Sequence, residues 1–240
     1  MPKLPEIDII KELSTISKLG FLKSLRKDNT GVGYTLETLL KIKENNDAEP
    51  DFSFKGIPVE LKTQREHTGS NITLFTLEPP RGTKGKFKDI ELLRKYGYVR
   101  NGRTNLYVTM AVGELCNPQG FKLELNDKTL LITHKKEGIV WTYPIEYIVA
   151  KIKKKLSHKV LLVTAESKVI KGKEHFHYKK AELFSNVTEK GFIDLIRAKS
   201  LVVEFRMHIN SKGGARNHGT PFRINLRHLD KLFANRKRIL

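Results

Sequence analysis

Six consecutive residues, Val160-Leu161-Leu162-Val163-Thr164-Ala165, form an almost unbroken apolar run. Side chains of a strand alternate between two faces, so such a run must be covered on both. It predicts a buried strand inside a sheet, with other layers packed above and below. Leu201 to Ile209, LVVEFRMHI, follows the opposite rule. Val203, Phe205, Met207 and Ile209 point one way, and Glu204, Arg206 and His208 point the other. One sheet therefore has a strand buried on both faces, and another strand carries a polar face.

Helical spacing supplies the covering layers. Ile9, Ile10, Leu13 and Ile16 predict a helix over 6–18 that ends near Gly20. YTLETLLKIKENN predicts a second, and shorter ones are expected over 89–97, 145–156 and 188–198, the last with Thr188 as its cap. The closing LRHLDKLFANRKRIL reads as an amphipathic basic helix. Strands are expected at Asn71–Thr76, stopped by Pro79-Pro80, and at His175–Lys179. Four more, LYVTMAVG, FKLELN, TLLITHK and GIVWTYP, read as a meander with Trp141 in its core. Helices and strands interleave, which is a mixed α/β (α+β) class. The 240 residues suit one large domain or two interlocked lobes.

Lysine and arginine total 45 against 26 acids, a formal charge of +19. A balance that basic favours a polyanionic partner, and it speaks of association rather than fold. No apolar run approaches the length of a spanning helix, and the N-terminus lacks a signal-peptide core, so no membrane role and a cytoplasmic location are expected. One cysteine, Cys116, excludes an internal disulfide and a cysteine metal cage.

The densest chemistry lies in EPDFSFKGIPVELKTQRE, residues 49–66. Glu60 and Lys62 are two apart on a strand and share a face, with Leu61 behind them. Asp51 precedes a turn at Lys55-Gly56 and can return to that place. Two carboxylates and a lysine converging there suit a divalent metal and a water beside a phosphodiester. Magnesium prefers oxygen ligands, so Asp51, Glu60 and the Leu61 carbonyl are the candidate ligands. Lys62 is the candidate for positioning or deprotonating the water. A lone E-x-K is common by chance. A second copy, Glu166-Ser167-Lys168, follows the buried strand but lacks an upstream acid at similar distance, and is read as structural or DNA-facing.

Other residues qualify as DNA contacts. Loop 27–33, with Asn29, Thr30, Gly31 and Gly33, precedes a helix, where backbone amides can approach a phosphate or simply form a helix entry. RGTKGKFK, residues 81–88, is either a solvated loop or an arm on backbone phosphates. On the 201–209 strand, arginine can pair with guanine and glutamate can accept from cytosine N4; a salt-bridge ladder is the plainer alternative. Lys212, Arg216, His218 and Arg223 cluster in a polar clasp after it. His175 and His177 share a face, but no third ligand accompanies them.

The motifs NTGVGYTLETLL, ENN, PDF, VELKTQRE, ITLFT, AESK, KAELF, VEFR, NHGTPFRIN and LDKLFANRKRIL occur in order along nearly the whole chain. In this the sequence resembles the MvaI/BcnI-type restriction endonucleases, relatives of the MutH nickase within the PD-(D/E)XK nuclease superfamily. The resemblance implies a MutH-like two-lobed fold with a DNA-binding cleft, a catalytic lobe over about 1–105 and a recognition lobe over about 106–240, with the chain crossing between them. It implies catalytic roles for Asp51, Glu60 and Lys62, with Glu37 as an additional helix-borne acid. It places Glu204 and Arg206 as base readers, where relatives have aspartate in place of Glu204. His208, Lys212, Arg216, His218, Arg223, Asn29, Thr30, Gln64 and Thr76 are the further expected DNA contacts. The expected activity is Type II, Mg²⁺-dependent cleavage of double-stranded DNA at five base pairs, CC(A/T)GG or CC(C/G)GG; the alternatives are a MutH-like strand-nicking repair endonuclease and a DNA-binding module without chemistry. The expected partners are DNA and a matching methyltransferase, with a monomer favoured.

Overall fold

The computed structural model of the chain describes residues 4–27, 29–43, 50–66, 69, 71–85, 87–113, 117–156 and 158–240. Asp28, the Glu44-Asn45-Asn46 motif, Glu49, Lys86 and Cys116 lie outside the described residues. In chain order the elements are α1 (Ile9–Lys18), β1 (Leu22–Lys23), α2 (Gly31–Leu39), β2 (Phe52–Phe54), β3 (Ile57–Arg65), β4 (Asn71–Thr76) and α3 (Asp89–Tyr96). Then come β5 (Tyr98–Arg100), β6 (Arg103–Met110), β7 (Phe121–Leu125), β8 (Thr129–His134), β9 (Gly138–Pro144) and α4 (Ile145–Lys155). The chain continues through β10 (Lys159–Ile170), β11 (Lys173–Val187), α5 (Glu189–Arg197), β12 (Leu201–Ile209), β13 (Ala215–Asn217) and β14 (Pro221–Asn225). A 3₁₀ turn at Leu226–Leu232 leads into β15 (Phe233–Arg238).

Two compact units result. The first takes residues 1–69, 155–187 and 233–240; the second takes 70–154 and 188–232. These units differ in their bounds from lobes over about 1–105 and 106–240, and the chain passes between them more than once. The reason is pairing: β10 runs parallel to β3 and β15 pairs with β11, so late segments return to the first unit's sheet. That sheet runs β1-β11-β10-β3-β2, with β15 on β11. β10 lies inside it, and Val160 to Val163 and Ala165 are buried, as the apolar run requires. Leu61, Leu161, Val163 and Leu183 join α1 and α2 in one core cluster. Tyr178 donates to the Val32 carbonyl at 2.9 Å and so ties β11 to α2.

The second unit holds a sheet of order β4-β14-β12-β6-β5, with β13 on β12, and a separate three-stranded sheet β7-β8-β9. The expected meander is thus only partly present. β6 leaves it to pair with β12, because Leu106, Val108 and Met110 find their apolar partners there. β7, β8 and β9 keep the predicted hairpins, with Trp141 fully buried. No helix among the described residues is long and apolar enough to cross a membrane.

The closing basic helix is also corrected. Leu226, Leu229 and Leu232 are buried at intervals of three, which is a 3₁₀ repeat. From Phe233 the chain satisfies its backbone on β11 instead, so sheet pairing overrides helix propensity. The helix expected from residue 34 starts at Gly31, which puts both glycines inside its first turn. A Cβ on Gly31 would lie 2.6 Å from the Arg26 carbonyl and from the Ser24 hydroxyl. Close packing against that loop accounts for the glycine.

Candidate active site

The catalytic candidates sit on the β2–β3 hairpin. Its turn is Lys55-Gly56, both at positive φ (53° and 72°), the geometry of a two-residue hairpin loop. Glu6 accepts hydrogen bonds from the Lys55 and Gly56 amides at 2.6 and 3.4 Å and holds the turn. The ladder continues backward: the Asp51 amide donates to the Val59 carbonyl at 3.0 Å. The Leu61 amide then donates to Asp51 Oδ2 at 2.6 Å. Amide and carbonyl of one strand residue face the same edge, so the Leu61 carbonyl faces Asp51's side of β3.

Val59 and Leu61 point into the core, and Glu60 and Lys62 point to the other face, as alternation demands. Lys62 Nζ lies 2.6 Å from Glu60 Oε1, and Lys155 Nζ lies 3.9 Å from Oε2. Glu60 is 7% exposed, and its Oε2 is buried without a hydrogen-bond partner. Burial and the Glu60 charge push the Asp51 carboxyl above the usual range, against the pull of the Leu61 amide, Lys62 and Lys155. Burial also lowers the pKa of His158, while Glu60 pulls it up, so this imidazole feels the same charge. Lys155 and His158 were missed in the sequence. Lys155 ends a lysine run and His158 lies three residues later, and only the parallel pairing of β10 with β3 brings them to Glu60.

Glu37 lies on α2. A Cβ built on Gly33 lies 3.7 Å from Glu37 Oε1 and 3.1 Å from Thr63 Oγ1. Thr63 belongs to the core-facing set of β3, and Glu37 adds to the potential at buried Tyr178. The charges acting on Asp51 are Glu60, Lys62 and Lys155. Among the described residues no three acid, histidine or cysteine side chains come close enough to hold a metal by themselves. A metal on this hairpin therefore has the two carboxylates and a backbone carbonyl to use.

The second group lies on β12. Glu204 is 7% exposed and takes Arg206 Nε on Oε2 and Arg223 Nη1 on Oε1, each at 2.8 Å. Arg223 also donates to the Asn71 carbonyl of β4. Thr109 of β6, opposite Glu204, adds a 3.4 Å contact. His208 and His218 meet at 3.2 Å between ring nitrogens. Burial, then Arg103, His218 and Arg216, lower the pKa of His208. The polar face of β12 is thus a partly buried ion-pair network, not an open face, because the arginines fold over the acid.

Of the remaining expected contacts, Asn29, Thr30 and Thr76 are exposed. The Asn29 carbonyl accepts from Arg65 at 3.0 Å, and Gln64 donates to Thr164 at 3.0 Å. Lys212 and Arg216 lie exposed around the β12–β13 turn, where Arg216 pairs in register with His208. His175 and His177 hydrogen-bond the Lys173 and Ser17 carbonyls at 2.9 and 3.0 Å, an ordinary structural role. In the second E-x-K, Glu166 pairs with Lys179, and Lys168 stacks 3.6 Å over the Phe21 ring.

A mixed α+β core with two carboxylates and a lysine on one hairpin is the architecture of a PD-(D/E)XK-type nuclease. The particular family follows from the sequence: the chain belongs to the MvaI/BcnI restriction endonuclease family, whose sequence model matches residues 10–233. It is accordingly a site-specific DNA-cleaving enzyme. Among solved structures it is similar to the restriction endonuclease MvaI in complex with cognate DNA substrate. That match has a TM-score of 0.76 and 26% identity and covers 97% of each chain. It is also similar to MvaI in the absence of DNA, with a TM-score of 0.56 and 23% identity over 96% of each chain. No curated protein matches it.

Proposed function

We propose that the chain hydrolyses both strands of duplex DNA at a five-base-pair GC-rich site of the CC(A/T)GG or CC(C/G)GG kind, using Mg²⁺. The observation that carries the metal is the buried Glu60 Oε2, which lacks a hydrogen bond beside a second carboxylate whose ionisation is resisted. Lys155 approaches that oxygen only to 3.9 Å, so a coordination position stays open beside two carboxylates, and a hard cation with oxygen preference fits it. Asp51, Glu60 and the Leu61 carbonyl would hold that ion. When bound, it supplies charge neutralisation at the phosphate and activation of water.

The chain's own groups do the rest. Lys62 holds Glu60 Oε1 and presents an ammonium where negative charge develops at the phosphate. The Leu61 amide fixes Asp51, so its carboxylate does not need to reorganise during the reaction. Glu37 is proposed to act at one remove, from behind Thr63, next in sequence to Lys62. Arg206, Glu204 and their neighbours His208, Lys212, Arg216, His218 and Arg223 are proposed to read or grip the DNA. Asn29, Thr30, Gln64 and Thr76 would support them. The enzyme would act as a monomer that cuts the strands in successive events, protected in its host by a methyltransferase for the same site.

The test is one incubation of the purified chain with plasmid DNA and Mg²⁺, followed by sequencing of the ends. Constant ends at every copy of one five-base-pair site are expected. Scattered ends, or no cleavage with any divalent ion, would overturn the proposal. Nicks confined to one strand would favour a MutH-like nickase instead.

A further inference from the structure

The first unit's sheet carries a second basic group on the face that holds Glu60 and Lys62. Paired residues of neighbouring strands share a face. Across β3, β10, β11 and β15, one row reads Lys62, Leu162, Glu182, Arg238. The row on one side reads Glu60, Val160, Phe184, Arg236, and the row on the other reads Gln64, Thr164, Lys180. Three strand spacings of about 4.8 Å put Arg236 and Arg238 roughly 14 Å from the catalytic strand.

Glu182 organises this group. It is 5% exposed, an acid between buried Ala181 and Leu183. Arg236 Nε donates to its Oε1 at 2.8 Å, with Nη2 on the same oxygen, and Lys180 Nζ lies 3.1 Å from Oε2. Burial pushes its carboxyl up, but the bonds from Arg236 and Lys180 outweigh that and hold it below the usual range, as an anion. Lys180 and Arg236 nevertheless keep 44% and 49% of their side chains in solvent. Both cations reach the acid while their side chains stay about half exposed, and Arg238 lies in register beside them. A buried acid that only joined two strands would need one partner. Here one acid fixes the heads of two cations on adjacent strands and leaves their outer faces exposed.

We propose that Lys180 and Arg236, positioned by Glu182, form a second phosphate contact on the catalytic face and grip the strand being cut a few nucleotides from the scissile bond. The inference rests on the DNA-hydrolase reading of the hairpin. It is a positioning role: the group does not touch the reacting atoms, but it fixes the backbone that enters the Asp51–Glu60–Lys62 site.

The experiment measures binding of the full chain to a fluorescein-labelled 30-base-pair duplex in Ca²⁺ across a salt series. Each phosphate contact contributes close to one unit to the slope of log affinity against log salt. Arg236→Ala and Lys180→Ala are expected to lower the slope by about 1 each and to weaken binding to every duplex alike, with Arg236→Lys restoring it. Because Glu182 is buried, removal of its partners risks misfolding. The variant Glu182→Gln/Lys180→Gln/Arg236→Gln leaves no orphaned charge and should lose about 2 from the slope. Unchanged slopes in the single and triple variants would make the group a plain internal ion pair and overturn the inference. If the parent chain cut no DNA at all, the reading of the hairpin would fail instead, and the two failures stay distinguishable.

Discussion

β3 and β12 carry the same local device: an acid and a cation two residues apart on one face, Glu60 with Lys62 and Glu204 with Arg206. Both form ion pairs along the strand, at 2.6 and 2.8 Å. Their surroundings differ. Glu204 has a cation on each oxygen, because Arg223 of β14 fills the second. Glu60 has Lys62 on one oxygen and faces a second carboxylate on the other side, with Lys155 no closer than 3.9 Å. One acid has both oxygens hydrogen-bonded and the other does not. The satisfied acid holds its two arginines rigidly, as the proposed DNA contact requires. The unsatisfied one suits a bound cation, since a cation would relieve both carboxylates together.

If this contrast is right, the largest effect should come from Lys62. Lys62→Ala should lower the single-turnover cleavage rate by about a thousandfold or more, while specific duplex binding in Ca²⁺ stays nearly intact. Gel-shift and quench measurements on the same preparation separate the two. Near-normal cleavage in the variant would remove Lys62 from the mechanism and with it the difference between the two strands.

What could be read from the sequence follows the same division between local and distant. The hairpin was legible because its parts are close in the chain. Asp51 and Leu61 are ten residues apart, and Lys55-Gly56 announces the turn between them. The alternation of β12 and the buried run of β10 were legible for the same reason, since each is a property of one strand. Lys155 was not, because its place beside Glu60 depends on β10 aligning with β3 across some hundred residues. The strand Phe233–Arg238 was not, because its partner β11 lies about fifty residues earlier and its own composition favours a helix. Nor was the closed state of Glu204 legible: Arg223 reads as a member of a flexible clasp until β14 is known to lie beside β12.

β12, proposed above to read the DNA, gives an intermediate effect. Arg206→Ala should cost about 1–3 kcal/mol of discrimination at one G·C pair, measured as the ratio of kcat/KM on the preferred site and on a site changed at that pair. Glu204→Gln should produce a loss of the same kind through Arg206 and Arg223, since a neutral amide holds them less tightly. Equal weakening on all sequences would turn Arg206 into a phosphate contact and Glu204 into a plain structural acid. The comparison would then reduce to one functional strand and one scaffold.

The smallest effect has the opposite sign. Burial first, and then the Glu60 charge, raise the Asp51 pKa in the folded chain. A folded state with a raised carboxyl pKa is favoured as pH falls through that value and carries a penalty above it. Asp51→Asn removes the penalty at neutral pH, and its amide oxygen can still accept from Leu61. The variant should therefore cut no DNA yet melt about 2–4 °C higher than the parent in EDTA at pH 7.5, the equivalent of roughly 1 kcal/mol in a chain of this size. The gain should shrink as pH drops and vanish below the unfolded aspartate value of about 3.9. The same substitution strategy at Glu204 should destabilise, because that acid is already paired on both sides. A variant Asp51→Asn that melted lower than the parent at neutral pH would mean that the hairpin acids are as well satisfied as Glu204, and the proposed need for a cation between them would go.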